Sequence, residues 1–212
     1  MITENNGKRG DLRNGSPHVP VPPLVAPRFM DLLDRLLSCL PLEERAETHL
    51  LQIGIDSGDL AVRILEDRVL SRLTVMDDSA DALRLLGAGM KQFGVRFKAS
   101  YGRPEKYIQP EHFHAVLSHL FLHEMSNEDK IAVCRNVFDA LKPGGLFAFS
   151  VVQPNSQRWI SGLRDAWHVP YAVPPEFWIL WLEKIGFEKC RYVLHESIFG
   201  IFRAFKPTAH NA

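Results

Sequence analysis

Two rhythms of hydrophobic and polar residues run along this chain. From Arg28 to Leu40, RFMDLLDRLLSCL sets Phe29, Leu32, Leu33, Leu36, Leu37 and Leu40 at helical spacing, which predicts a helix with one apolar face. Short apolar runs follow, each trailed by an amphipathic stretch. HLLQI (49–53) reads as a buried strand, and a helix starts over Asp59 to Leu65. SRLTVMD (71–77) is a second strand, followed by a helix from Ser79, whose hydroxyl can cap it. VRFKAS (95–100) and FHAVLSH (113–119) are the third and fourth. Ser126 and Asp129 form a capping-box pattern, and Ile131, Cys134, Phe138 and Leu141 mark the buried stripe of the helix they open. That helix is expected to stop at KPGG, where Pro143 and the glycines cannot continue it. LFAFSVV (146–152) is the fifth strand.

Strands alternating with helices at this spacing predict a parallel sheet with helices on both faces. The end of the chain differs. After a helix near 175–185, FEKCRYVLHE and IFGIFRAFK are adjacent strands with almost nothing between them. Strands that close can only pair antiparallel. The expected fold is therefore α/β, a mostly parallel seven-stranded sheet with one reversed strand at its C-terminal edge. Residues 1–27, polar and then proline-rich (PHVPVPPLVAP), show neither rhythm and read as a flexible arm. Residues 28–207 form the domain.

Composition narrows the class. The chain of 212 residues is 46% hydrophobic and 24% charged, ordinary for a globular domain and long enough for one substantial core. Lys plus Arg and Asp plus Glu are both 25, and this balance argues against a nucleic-acid partner. Cys39, Cys134 and Cys190 have neither metal nor disulfide spacing, which points to a reducing, cytoplasmic setting. No apolar run approaches the roughly 20 residues that span a bilayer. The opening MITENNGKRGDLRNGS lacks the apolar stretch of a signal peptide.

In open α/β sheets a ligand sits beyond the carboxyl ends of the strands. The loop IGIDSGD after the first strand is thus the first place to look. Gly54 and Gly58 let backbone approach a ligand, and the following helix presents its positive end. Asp77 ends the second strand, where an acid can accept hydrogen bonds from both ribose hydroxyls of an adenosine. Loop and acid together suggest an adenosine-containing cofactor. They do not separate a nicotinamide dinucleotide from S-adenosylmethionine.

The run FHAVLSHLFLHEMSNEDKIAVCRNVFDALKPGGLFAFSVVQP, with MDDSADAL before it and WLEKIGFEKC after it, closely resembles class I S-adenosylmethionine-dependent methyltransferases. The resemblance covers roughly residues 45 to 207 and implies a Rossmann-like methyltransferase fold with S-adenosylmethionine as cofactor. It implies that Gly54, Asp56 and Gly58 match the glycine loop against the methionine part of the cofactor. Asp77 matches the ribose-binding acid and Asp78 its neighbour against the adenine. Ser100 and Tyr101 match the loop flanking the adenine, and Ser118 and His119 lie near the sulfonium and substrate. Three positions depart from the family pattern. Gln52 stands where an acid is usual, Asp56 where the middle glycine is usual, and Tyr101 where an Asp usually bonds the adenine amino group.

His119 and His123 are candidate general bases. His112 and His114 lie close by in sequence, but no thiolate joins the four and no metal site is expected. Between the fifth strand and the last helix, an aromatic cap segment over 153–178 carries Trp159, Trp167 and Tyr171 as candidate substrate contacts. Trp178 and Trp181, at helical spacing, read as core. The resulting expectation is methyl transfer to a small-molecule acceptor, with no nucleic-acid or membrane partner and a homodimer as the assembly candidate. The rival is a catalytically silent member of the fold serving as a binding or assembly subunit.

Overall fold

The computed structural model describes residues 26–40, 47–153, 172–195 and 199–208. Residues 1–25 of the expected arm and the cap residues Trp159, Trp167 and Tyr171 lie outside them, while Ala26 and Pro27, assigned to the arm by the sequence, belong to the first helix. Helix α1 (Ala26–Leu37) precedes β1 (Thr48–Ile53), α2 (Asp59–Asp67), β2 (Ser71–Asp77), α3 (Ala80–Gly89), β3 (Phe97–Tyr101), β4 (Phe113–His119), α4 (Asn127–Ala140), β5 (Leu141–Val152), α5 (Pro175–Ile185), β6 (Glu188–His195) and β7 (Phe199–Phe205). The seven strands form one sheet in the order β3-β2-β1-β4-β5-β7-β6. Strands β1 to β5 run parallel to one another. Strand β7 runs antiparallel to both β5 and β6. The reversed strand at the C-terminal edge is thus β7, with β6 outside it.

Alternation along the strands divides the core. Leu50, Leu73, Val75, Leu117 and Ala148 face α1, α2 and α3, joined by Leu32, Leu33 and Leu36 of α1. Leu51, Ile53, Val116, Phe147 and Phe149 face α4 and α5. There Trp178 is 1% exposed and its ring centroid lies 4.9 Å from that of Phe149, so it is core. The order reverses at β1 and β4, which opens the crevice beyond their carboxyl ends where the candidate residues gather.

Two boundaries differ from the sequence reading. Helix α4 ends at Ala140, before KPGG rather than at it, because Pro143 disfavours helical geometry at the residue before it. KPGG lies inside β5 as an irregularity: Phe113 pairs with Leu141, but Ala115 already pairs with Leu146. Strand β3 begins at Phe97 rather than Val95, after short helical turns over Lys91–Arg96 broken at Gly94 (φ 54°). Between β3 and β4, residues 102–112 cross the sheet without forming a helix.

Candidate functional site

The loop after β1 is fastened from below and from the side. Gln52, fully buried at the end of β1, donates from Nε2 to the carbonyls of Gly54 (2.8 Å) and Ile55 (3.4 Å). The Gly54 amide donates to Met76 O across the gap to β2 (2.9 Å). Three residues of the turn take left-handed backbone geometry: Gly54 (φ 81°), Asp56 (φ 50°) and Gly58 (φ 86°). Glycine adopts this at no steric cost and Asp more readily than most residues. Gly58 then opens α2 without any side-chain cap. Gly58 N–H bonds Ile55 O (3.0 Å) and Asp59 N–H reaches Ser57 Oγ (3.4 Å), and the positive end of the helix favours an anionic group beyond them.

Gly54 has a second reason to be glycine. A Cβ there would come within 2.6 Å of the Phe121 ring, which packs onto its α-carbon from the loop after β4. The sequence gives no hint of this contact, because the partners are far apart in the chain and an apolar residue after a strand is unremarkable.

Asp77 is 8% exposed and accepts two backbone hydrogen bonds, from Ile55 N–H at Oδ2 (3.0 Å) and from Ser79 N–H at Oδ1 (2.8 Å). It ties the glycine loop to the start of α3. Burial pushes its carboxyl above the usual range, although the amides of Ser79 and Ile55 pull the other way. A carboxylate offers about four acceptor sites; the Asp78 amide also bears on this one, and the acceptor capacity left suits the hydroxyls of a ribose. Tyr101 sits beside Asp77 in the β2–β3 register and Gly102 N–H bonds Asp77 O (3.0 Å). Asp78 and Ser100 are half-buried next to them, and the Tyr101 side chain is 72% exposed. Ser118 is fully buried and donates its hydroxyl to Ile53 O (3.1 Å). That bond spans β1 and β4 and directs the Ser118 hydroxyl into the sheet.

His119, 2% exposed at the end of β4, links the loop to β5. Its Nδ1 lies 2.8 Å from Ser150 Oγ, which also accepts from Leu120 N–H (3.3 Å). The other ring nitrogen, Nε2, lies 3.6 Å from Asp56 Oδ2. Burial holds His119 down to about 4, against the opposite pull of the Asp59 carboxylate. The His119 ring is therefore neutral at neutral pH, and the Asp56 side chain beside it is 29% exposed. His123 is 6% exposed, with Nδ1 lacking a hydrogen-bond partner. Burial, the nearby Lys130 ammonium and His119 bring it to about 3. Lys130 itself is fully buried, 5.9 Å over the Trp178 ring, and lowered to about 8 by burial.

The structure thus brings Gly54, Asp56, Gly58, Asp77, Asp78, Ser100, Tyr101, Ser118 and His119 to the carboxyl ends of β1 to β4, with His123 behind them. Ser150, Phe121 and Lys130 escape sequence reasoning. Only Ser150 leaves a trace there: it is the polar residue at an inward position of an otherwise apolar strand. His112 and His114 lie at the opposite end of β4, beside His49 rather than His119.

Residues 50–145 match the family model described as a methyltransferase domain. No curated protein matches the sequence. Among solved structures, phosphoethanolamine N-methyltransferase 2 of Haemonchus contortus in complex with S-adenosyl-L-methionine is 14% identical with a TM-score of 0.68, over 84% of this chain and 53% of its own. This chain spans about half the length of that enzyme. The [4+2]-cyclase SpnF is 18% identical with a TM-score of 0.69, over 84% and 81%. A Haloferax volcanii putative methyltransferase in complex with the Trm112 methyltransferase activator is 12% identical with a TM-score of 0.72, over 89% and 93%.

Proposed function

We propose that this chain, a class I methyltransferase fold with a methyltransferase domain at residues 50–145, binds S-adenosylmethionine and methylates a small-molecule acceptor. The observation that carries the reading is Asp77: a buried carboxylate at the end of β2, anchored by two amides, with acceptor capacity left over. The cofactor supplies an activated methyl group, and methyl transfer needs no covalent nucleophile from the protein.

This chain's residues then have three tasks: to hold, to orient and to exclude water. Asp77 takes the ribose hydroxyls, with Asp78, Ser100 and Tyr101 around the adenine. The Gly54–Gly58 turn and the start of α2 receive the methionine end, where its carboxylate meets the positive end of the helix and its ammonium meets Asp56. His119 works as a positioning residue. Its Nε2 faces Asp56 while Ser150, itself held by the Leu120 amide, fixes Nδ1. Asp56 is the exposed member of the pair and the group able to accept a proton from an acceptor hydroxyl or amine. Trp159, Trp167 and Tyr171 are the proposed acceptor contacts.

One observation favours the silent reading. The Phe121 ring lies against Gly54, so the protein's own packing explains that glycine without a ligand. The [4+2]-cyclase among the structural neighbours also carries this fold under a different activity name. Calorimetric titration with S-adenosylmethionine, S-adenosylhomocysteine and, as a control, NADH separates the readings, with Asp56→Gly beside the parent chain. If Asp56 meets the cofactor's ammonium, the variant binds more weakly by about fivefold or more, since a charge contact at such range is worth roughly 1–4 kcal/mol. No binding to the parent, with binding restored in the variant, overturns the enzyme reading.

A further inference from the structure

Without a helix between β3 and β4, one face of the sheet beside β3 stays uncovered. A groove of about 440 Å³ lies there, between β2–β3 and the 102–112 crossing segment. Its floor is set by strand alternation. Arg72 and Thr74 of β2 and Lys98 and Ser100 of β3 point to the face that carries α4 and α5 further along, and Thr74 pairs with Lys98 in register. On that same face β1, β4 and β5 present Leu51, Val116 and Phe147, all fully buried. Parallel sheets are normally apolar on both faces because helices cover them. Here the side chains turn cationic where the cover ends, so the floor suits water and anions rather than a missing helix.

The charge is one-sided. Arg72, Lys98, Arg103 and Lys106 line the groove and no carboxylate does. Arg72 pairs with Glu47 and Arg103 with Glu105 outside it, both pairs reaching Oε1. Among the described residues, Lys98 and Lys106 have no carboxylate within ion-pair distance. At the far end His49 and His112 are lowered first by burial, then by neighbouring cations that include Arg72, Lys98 and Lys142. The neutral total charge of the chain is therefore an average that hides a local positive field. Two flat rings flank it, Tyr101 at 72% exposure and Tyr107 at 63%.

A cationic groove suits any anion, but exposed aromatic rings add preference for a ligand with stackable faces. The cations are spread along the groove instead of converging on one point: Arg72 stands two residues before the Thr74–Lys98 pair on the strands, and Arg103 and Lys106 lie on the crossing segment. That spacing suits successive phosphates rather than a single one, and the volume is too small for a duplex. We propose that this groove binds single-stranded nucleic acid, with Arg72, Lys98, Arg103 and Lys106 along the backbone and Tyr107 against a base.

Fluorescence anisotropy of the full chain with a labelled eight-nucleotide single-stranded RNA at 50 mM salt tests it. Binding is expected, with log K falling against log salt at a slope of about −2 to −3, as for three or four phosphate contacts. The double substitution Lys98→Glu with Lys106→Glu should weaken it at least tenfold without moving the melting temperature. Tyr107→Ala should weaken it about fivefold or more, the loss of one stacked base. Absence of binding overturns the proposal. So does equal competition by oligoglutamate together with indifference to Tyr107→Ala, which would mark a surface for acidic peptides.

Discussion

Replacing Asp77 with Ala tests the anchor of the site, and the structure sets two separate consequences. The carboxylate holds Ile55 N–H and Ser79 N–H. Ile55 is 5% exposed, so its amide is left without a partner when the carboxylate goes, at a cost of about 1–3 kcal/mol. Ser79 is exposed and water replaces its bond at little cost. Loss of the buried charge returns some stability, since burial already pushes the Asp77 carboxyl upward. The net loss is therefore within about 1–3 kcal/mol, a fall in melting temperature of roughly 2–12 °C for a chain of this size. The second consequence is on the ligand. Two charge-assisted bonds to a ribose are together worth about 2–4 kcal/mol, so affinity for S-adenosylmethionine should drop at least thirtyfold.

The assays are thermal unfolding without ligand and calorimetric titration on the folded variant. Asp77→Asn serves as a companion: it keeps the size and one acceptor, relieves the buried charge, and should lose less stability than Asp77→Ala. An unchanged melting temperature for Asp77→Ala would refute the anchoring role. Unchanged affinity in a variant that has lost stability would show that no ribose sits there.

Acidification gives a further test. His119 and His123 have folded values of about 4 and about 3, below the unfolded 6.5, so between those limits the unfolded chain binds more protons. Stability present above pH 6.5 is lost as the pH falls, by about 2 kcal/mol per histidine at pH 5. Asp77, shifted upward, acts with the opposite sign and lower on the pH scale. Urea midpoints at pH 7 and pH 5 check this, and a double His119→Gln, His123→Gln variant should flatten the difference. Gly54→Ala places a methyl group against Phe121 in left-handed backbone, costing about 2–4 kcal/mol. Adding Phe121→Ala should relieve the steric part, giving a favourable coupling in a double-mutant cycle. Additivity would refute the contact.

The sheet was legible because its strands carry their signal locally. SRLTVMD and FHAVLSH alternate or run apolar whatever surrounds them, and the close spacing of the last two strands forces their antiparallel pairing. The crossing at 102–112 was not legible as a groove wall, since GRPEKYIQPEH has no period and predicts only the absence of a helix. The site divided in the same way. Asp77 and the glycines stand at strand ends, where position alone suggests a role. The burial of His119 and His123 depends on packing against β5 and α4, and no local pattern distinguishes a buried histidine from an open one. Gln52 looked like a defect because only its identity was visible, not the carbonyls it bonds.

Those carbonyls bear on how the loop works. A carboxylate in place of Gln52 would sit fully buried and face Gly54 O and Ile55 O, acceptors that repel it and a medium that penalises its charge. An amide donates to both and needs no counter-charge. The negative charge that the resemblance places at the end of β1 reappears at Asp56, where the side chain is 29% exposed and faces His119 Nε2. The acid of this loop thus stands in the open turn rather than at the buried strand end, and the backbone at φ 50° accepts an Asp there. On this account Asp56→Gly does not restore the family pattern. It leaves a loop with no acid at either position, and that is why it should weaken a cofactor's ammonium contact instead of repairing the site.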